Sequence, residues 1–115
     1  MRDIYEKSEK AIYTPGAAFL NVMAPCPRGW RYPTEQIMDI CKLAVETCYW
    51  PLFEVIEGKW ILSYSPKKKL PIEDFLRTQG RFKHLFKPEN EHLLVQYQEE
   101  VDRRWEDLLF RCSKN

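Results

Sequence analysis

Ala17-Ala18-Phe19-Leu20-Asn21-Val22-Met23-Ala24-Pro25-Cys26-Pro27-Arg28-Gly29-Trp30-Arg31-Tyr32-Pro33 is the stretch on which the reading of the fold turns. Apart from Asn21, residues 17–23 are small or apolar and show little of the alternation that a half-wetted strand requires. They read as a short strand covered on both faces, the pattern of a parallel sheet. A strand of that kind needs a neighbour on each edge, and this chain offers few candidates, which points to a missing partner or to missing upstream sequence. Residues 24–33 read as a stiff loop, because Pro25, Pro27 and Pro33 limit the freedom lost on ordering and Gly29 permits a turn. Cys26 sits between two of those prolines. In parallel α/β architectures the carboxyl ends of strands carry the ligand-binding loops, so Cys26 is the leading candidate for chemistry. From the residues alone it reads as a plain loop thiol, a metal ligand or a catalytic thiol. No acid–His–Cys relay is visible near it.

Working outward, residues 4–12 read as the end of an amphipathic helix, with Ile4, Ser8, Ala11 and Ile12 on one side. Thr14-Pro15-Gly16 stops it. Thr34 is expected to cap a helix that runs to about Thr47, packing through Ile37, Ile40, Cys41, Ala44, Val45 and Cys48. Residues 50–57 and 59–64 flank Gly58 as a β-hairpin. A polar exit at residues 65–69 leads to a short helix carrying Ile72, Phe75 and Leu76 before Gly80. Residues 89–110 are the clearest long helix, with Leu94, Tyr97, Val101, Trp105 and Leu108 at intervals of three and four.

The chain has 115 residues, enough for one modest domain and too few for two well-buried cores. A formal charge of +1 selects neither nucleic acid nor a membrane surface nor an acidic substrate. No apolar run approaches the roughly 18–20 residues that cross a bilayer, and the start, Met1-Arg2-Asp3-Ile4-Tyr5-Glu6-Lys7, lacks a signal-like apolar core. These features favour the cytoplasm, with no nucleic acid or membrane partner. Cys26, Cys41, Cys48 and Cys112 include no close pair, so neither a disulfide framework nor a complete four-cysteine metal site is expected.

Other candidates read mainly as structure. Cys41 and Cys48 share a helix stripe and are assigned to packing, and Cys112 has no assigned role. His84 is open to anion binding with Arg81 and Lys83, or to a solvated cap or subunit contact. His92 is read in the same way. The Lys67-Lys68-Lys69 run reads as a solvated turn rather than a nucleic-acid patch. Trp50, Trp60 and Trp105 read as packing residues, whereas Trp30 is open to packing, an intermolecular boundary or the cover of a cofactor.

Four segments together carry a family resemblance: Asn21-Val22-Met23-Ala24-Pro25-Cys26-Pro27-Arg28-Gly29-Trp30, Leu43-Ala44-Val45-Glu46-Thr47-Cys48-Tyr49-Trp50-Pro51-Leu52-Phe53-Glu54, Phe75-Leu76-Arg77-Thr78-Gln79-Gly80-Arg81-Phe82-Lys83-His84-Leu85-Phe86 and Glu100-Val101-Asp102-Arg103-Arg104-Trp105-Glu106. The chain resembles the C-terminal part of the β subunit of pyruvate and related 2-oxoacid:ferredoxin oxidoreductases. The resemblance implies a partial α/β segment of a thiamine-diphosphate-binding domain, with an added β-hairpin and C-terminal helices. Residues 1–49 would be the end of the α/β core, including the cluster-ligand loop 24–33, and residues 50–115 the hairpin and helical extension. Cys26 would be the last cysteine ligand of a proximal [4Fe–4S] cluster. In the family, the other three cysteines and the elements that hold thiamine diphosphate through Mg²⁺ lie upstream, and no such signatures occur here. Cys41, Cys48 and Cys112 do not match the absent ligands.

The implied partners are an upstream β-subunit region or equivalent chain, other oxidoreductase subunits and ferredoxin. The implied reaction is oxidative decarboxylation of a 2-oxoacid with coenzyme A, with further [4Fe–4S] clusters carrying the electrons. No catalytic residue is assigned within this chain, which is not expected to turn over substrate alone. An autonomous protein-interaction module without redox activity is the alternative from a different functional class.

Overall fold

The long apolar stripes read from the sequence become the helices that build the core. In the computed structural model, which describes residues 2–115, the first helix, α1, covers Arg2–Tyr13. Met1, the first residue of the expected 1–49 unit, lies outside the described residues. Ion pairs one turn apart support α1, Arg2 with Glu6 at 2.6 Å and Lys7 with Asp3 at 2.8 Å. After it the chain bends, and Thr14 Oγ1 donates to the Lys10 carbonyl at 2.7 Å. No α1 residue is fully buried, and Ile12 on the expected packing side is 77% exposed. A Lys10–Glu54 ion pair of 2.5 Å ties α1 to the hairpin.

Residues 17–23 do not form the expected parallel strand. They have no regular secondary structure, and Phe19 stands 87% exposed with Leu20 and Val22 also exposed. The reason is the one that made the reading conditional. A strand takes its hydrogen bonds from flanking strands, and the only sheet among the described residues is a two-stranded antiparallel ribbon elsewhere in the chain.

That ribbon pairs β1, Phe53–Ile56, with β2, Lys59–Leu62, in a register running from Phe53 opposite Leu62 to Ile56 opposite Lys59. Glu57 (φ 51°) and Gly58 (φ 78°) both take positive φ, which makes the two-residue loop a primed turn whose twist suits the strands. Phe53 and Trp60 stack diagonally across the ribbon with ring centres 5.4 Å apart.

The stiff loop contains one turn of helix, α2, Pro27–Trp30. Thr34 does not cap the next helix through its side chain. Thr34–Gln36 is a 3₁₀ turn entered from Pro33, and the α-helix proper, α3, is Ile37–Glu46. Pro33 holds the backbone extended and delivers Thr34 inside the first turn rather than before it. Cys48 lies beyond α3, not on its stripe. It has φ 59° and donates its amide to the Val45 carbonyl at 3.0 Å, while Trp50 donates to Ala44 at 2.9 Å. A left-handed residue at that place closes the helix.

Helix α4, Ile72–Leu76, buries Ile72, Phe75 and Leu76. A 3₁₀ segment follows at Gly80–Phe86 and buries Leu85. The long helix α5, Glu91–Ser113, buries Leu94, Val101 and Leu108. Tyr32, Ile40, Ala44 and Cys48 join these residues in one cluster, so side chains from both sides of position 49/50 pack together. Polar contacts close the seams. Gln98 Oε1 accepts the Ile72 amide at 2.7 Å, Gln98 Nε2 donates to Asp102 at 2.7 Å, and Lys69 pairs with Asp102. Burial pushes the Asp102 carboxyl up, but hydrogen bonds from Lys69 and Gln98 outweigh it and hold the group below its ordinary value.

Candidate functional site

The turn that begins at Cys26 is built from the backbone outward. Cys26 is extended (φ −96°, ψ 111°) and occupies the N-cap of α2, with its sulfur accepting the Gly29 amide at 3.4 Å. Pro27 follows at the first helical position, where its missing amide costs nothing. The Cys26 carbonyl accepts the Trp30 amide at 2.9 Å and the Pro27 carbonyl accepts the Tyr32 amide at 3.2 Å. Arg31, at φ 57°, reverses the chain.

Cys26 is exposed, yet the residues around it are anchored. Pro25 is buried, and its carbonyl accepts the Tyr32 hydroxyl at 3.1 Å. Burial, followed by the thiols of Cys41 and Cys26, pushes the Tyr32 hydroxyl up, so it remains a protonated donor. The turn docks on the segment after α4. Gly80 donates its amide to the Arg31 carbonyl at 2.8 Å, and Trp30 meets Phe75 edge-on with ring centres 6.3 Å apart. The Arg81 guanidinium lies 3.8 Å from the centre of the Trp30 ring.

The four thiols are free and differently placed. Cys26 is exposed, Cys41 and Cys112 are half-buried, and Cys48 is buried. Burial pushes the Cys48 thiol up, consistent with the packing role expected for it. Among the described residues no three His, Cys, Asp or Glu side chains converge as metal ligands. The donor available to a metal or cluster at this turn is therefore one cysteine sulfur, and its setting fits that use: an exposed residue, an N–H directed at its sulfur and a backbone fixed on both sides.

Arg81 turns onto Trp30 and Phe82, whereas Lys83 and His84 are exposed. Trp30 packs against Phe75 and Tyr32 and stays half-exposed. Tyr32, Gly80 and Arg81 as supports of the Cys26 turn were not read from the sequence, although the Gln79-Gly80-Arg81 run, a glycine between polar residues, was the available signal. A separate open groove of about 340 Å³ lies between the hairpin and α5, lined by residues such as Phe53, Trp60, Arg104 and Leu108, and takes no residue from the Cys26 turn. No helix among the described residues is long and apolar enough to cross a membrane.

No family model matches the chain. It is 45% identical over 108 residues to pyruvate synthase subunit PorB of Thermotoga maritima, covering 93% of this chain and 33% of that subunit. It is 46% identical over 103 residues to ketoisovalerate oxidoreductase subunit VorB of Pyrococcus horikoshii, covering 88% and 33%. Identity to pyruvate synthase subunit PorB of Methanosarcina barkeri is 44% over 85 residues, covering 74% and 29%. The chain spans about a third of the length of these relatives.

Proposed function

For a chain homologous to the PorB and VorB oxidoreductase subunits over about a third of their length, we propose that it supplies the C-terminal shell and one cluster-ligating thiolate, Cys26, to a 2-oxoacid:ferredoxin oxidoreductase. The observation that carries this reading is the Cys26 turn: an exposed sulfur that accepts a backbone N–H at 3.4 Å, in a chain so similar to PorB. Cysteine sulfur is the ligand that iron–sulfur clusters take.

Within that assembly this chain's residues hold and orient. Cys26 would hold iron through its sulfur, while Gly29 donates its amide to the same sulfur and Tyr32 fixes the Pro25 carbonyl immediately before it. When bound in the complete particle, thiamine diphosphate with Mg²⁺ would supply the carbon chemistry of CoA-dependent 2-oxoacid decarboxylation, and [4Fe–4S] clusters would supply electron transfer towards ferredoxin. The remaining cluster cysteines and the thiamine-binding elements come from an upstream β-subunit region or an equivalent chain. Other oxidoreductase subunits complete the particle. The exposed Phe19, Leu20 and Val22 support this reading, since the run they belong to has the composition of a covered strand and pairs with no strand among the described residues.

The test is iron analysis and electron paramagnetic resonance of the intact complex carrying either the natural chain or Cys26→Ala. The expected result is loss or conversion of one cluster signal in the variant, and an unchanged cluster complement rejects the ligand role. The isolated chain is expected to show no 2-oxoacid oxidation with thiamine diphosphate and coenzyme A added, and turnover by this chain alone would contradict that.

A further inference from the structure

A relay of contacts runs from the core to Cys26 and passes through Arg81. Gln79 is buried, with its Nε2 donating to the Phe75 carbonyl at 2.9 Å and its Oε1 accepting Arg81 Nε at 2.8 Å. The guanidinium fixed in this way lies 3.8 Å from the Trp30 ring centre and 4.5 Å from that of Phe82. Its Nη2 is buried and has no hydrogen-bond partner. A buried donor left unpaired is unfavourable, and contact with ring faces is the compensation this arrangement offers. Trp30 in turn donates its amide to the Cys26 carbonyl at 2.9 Å, so the residue held by the guanidinium is bonded directly to the backbone that carries the thiol.

Gly80 makes the same junction from the other side. Its amide donates to the Arg31 carbonyl at 2.8 Å. A Cβ at Gly80 would lie 2.9 Å from Arg31 Cβ and 3.1 Å from the Arg31 oxygen. Glycine is required here by space, because the two backbones approach too closely for any side chain.

The geometry points to Arg81 as a positioning residue for Cys26: the guanidinium clamps Trp30 against the 3₁₀ segment, and the Gly80 contact seats the turn, so that the sulfur is presented in one fixed direction. The purpose of the clamp rests on the proposed ligand role of Cys26, but its test does not. Gln at position 81 keeps a polar side chain of moderate length and removes the stacking plate.

The experiment is hydrogen exchange, followed by mass spectrometry, on the 115-residue chain and its R81Q and G80A variants. Exchange across residues 28–32 is expected to rise about tenfold in each variant, the scale set by losing one desolvated cation–π contact or one well-seated hydrogen bond. Exchange around Leu108 in α5 is expected to stay unchanged, because a general loss of stability would raise both segments together. If R81Q unfolds the chain, G80A, which keeps Arg81, is read by the same criterion. No rise at residues 28–32, or an equal rise around Leu108, overturns the proposal. A Cys26→Ala complex that keeps its full cluster complement would remove the ligand role and leave this result standing.

Discussion

Cys26 and Cys48 are the same side chain in opposite settings. Cys26 is exposed with an N–H at its sulfur, whereas Cys48 is buried and its thiol is pushed up by that burial. Alkylation of the native chain by iodoacetamide, mapped by peptide mass spectrometry, is therefore expected to modify Cys26 first and to leave Cys48 intact until the chain unfolds. Tyr97 gives a second residue-scale expectation. Burial, reinforced by neighbouring Tyr49, pushes its hydroxyl from 10.0 up to about 12. In that window the folded chain retains a proton that the unfolded chain has lost. The stability linked to Tyr97 is thus fully present below pH 10 and disappears as pH rises towards 12. Urea titrations at stepped pH are expected to show this alkaline loss in the natural chain and a shallower one in Tyr97→Phe.

At the scale of elements, the hairpin turn offers the sharpest contrast. Glu57 and Gly58 both have positive φ, which glycine accepts without cost and glutamate does not. Gly58→Ala is expected to lower stability by ~1–2 kcal/mol, while Glu57→Asn is expected to raise it by about 0.5 kcal/mol. Both changes are readable as shifts of the urea midpoint. In α4, Phe75 is wholly buried, and Phe75→Ala is expected to cost about 3–5 kcal/mol. Elements that carry their own signal were legible in the sequence. The stripe through Leu94, Val101 and Leu108 announces α5, and Gly58 between two apolar runs announces the hairpin. Elements set by remote contacts were not legible. Residues 17–23 have a strand's composition and no strand beside them. Thr34 looks like a cap until Pro33 places it one step too far in. The need for glycine at position 80 is a matter of clearance from Arg31, which no local pattern records. At the candidate site, therefore, Cys26 was found from its setting in the chain, and the Tyr32, Gly80 and Arg81 supports were visible only in three dimensions.

The whole molecule measures 51 × 32 × 25 Å, with a radius of gyration of 16.0 Å. About 13 Å is usual for a compact domain of this length. The excess fits a well-packed body around α3, α4 and α5 with a thinly attached N-terminal part, where α1 buries no residue and Phe19 is 87% exposed. A double change, Phe19→Asp with Val22→Asp, is expected to leave the stability of the chain itself within about 0.5 kcal/mol. The same change is expected to prevent co-elution with the other subunits of the proposed oxidoreductase. The most direct test of the central claim is to locate the iron atoms by anomalous scattering in crystals of the complete complex. The expected result is an iron atom within bonding distance of Cys26 Sγ, with that iron's cluster held otherwise by cysteines from outside this chain. A cluster whose four protein ligands all come from elsewhere, leaving Cys26 remote from iron, would contradict it.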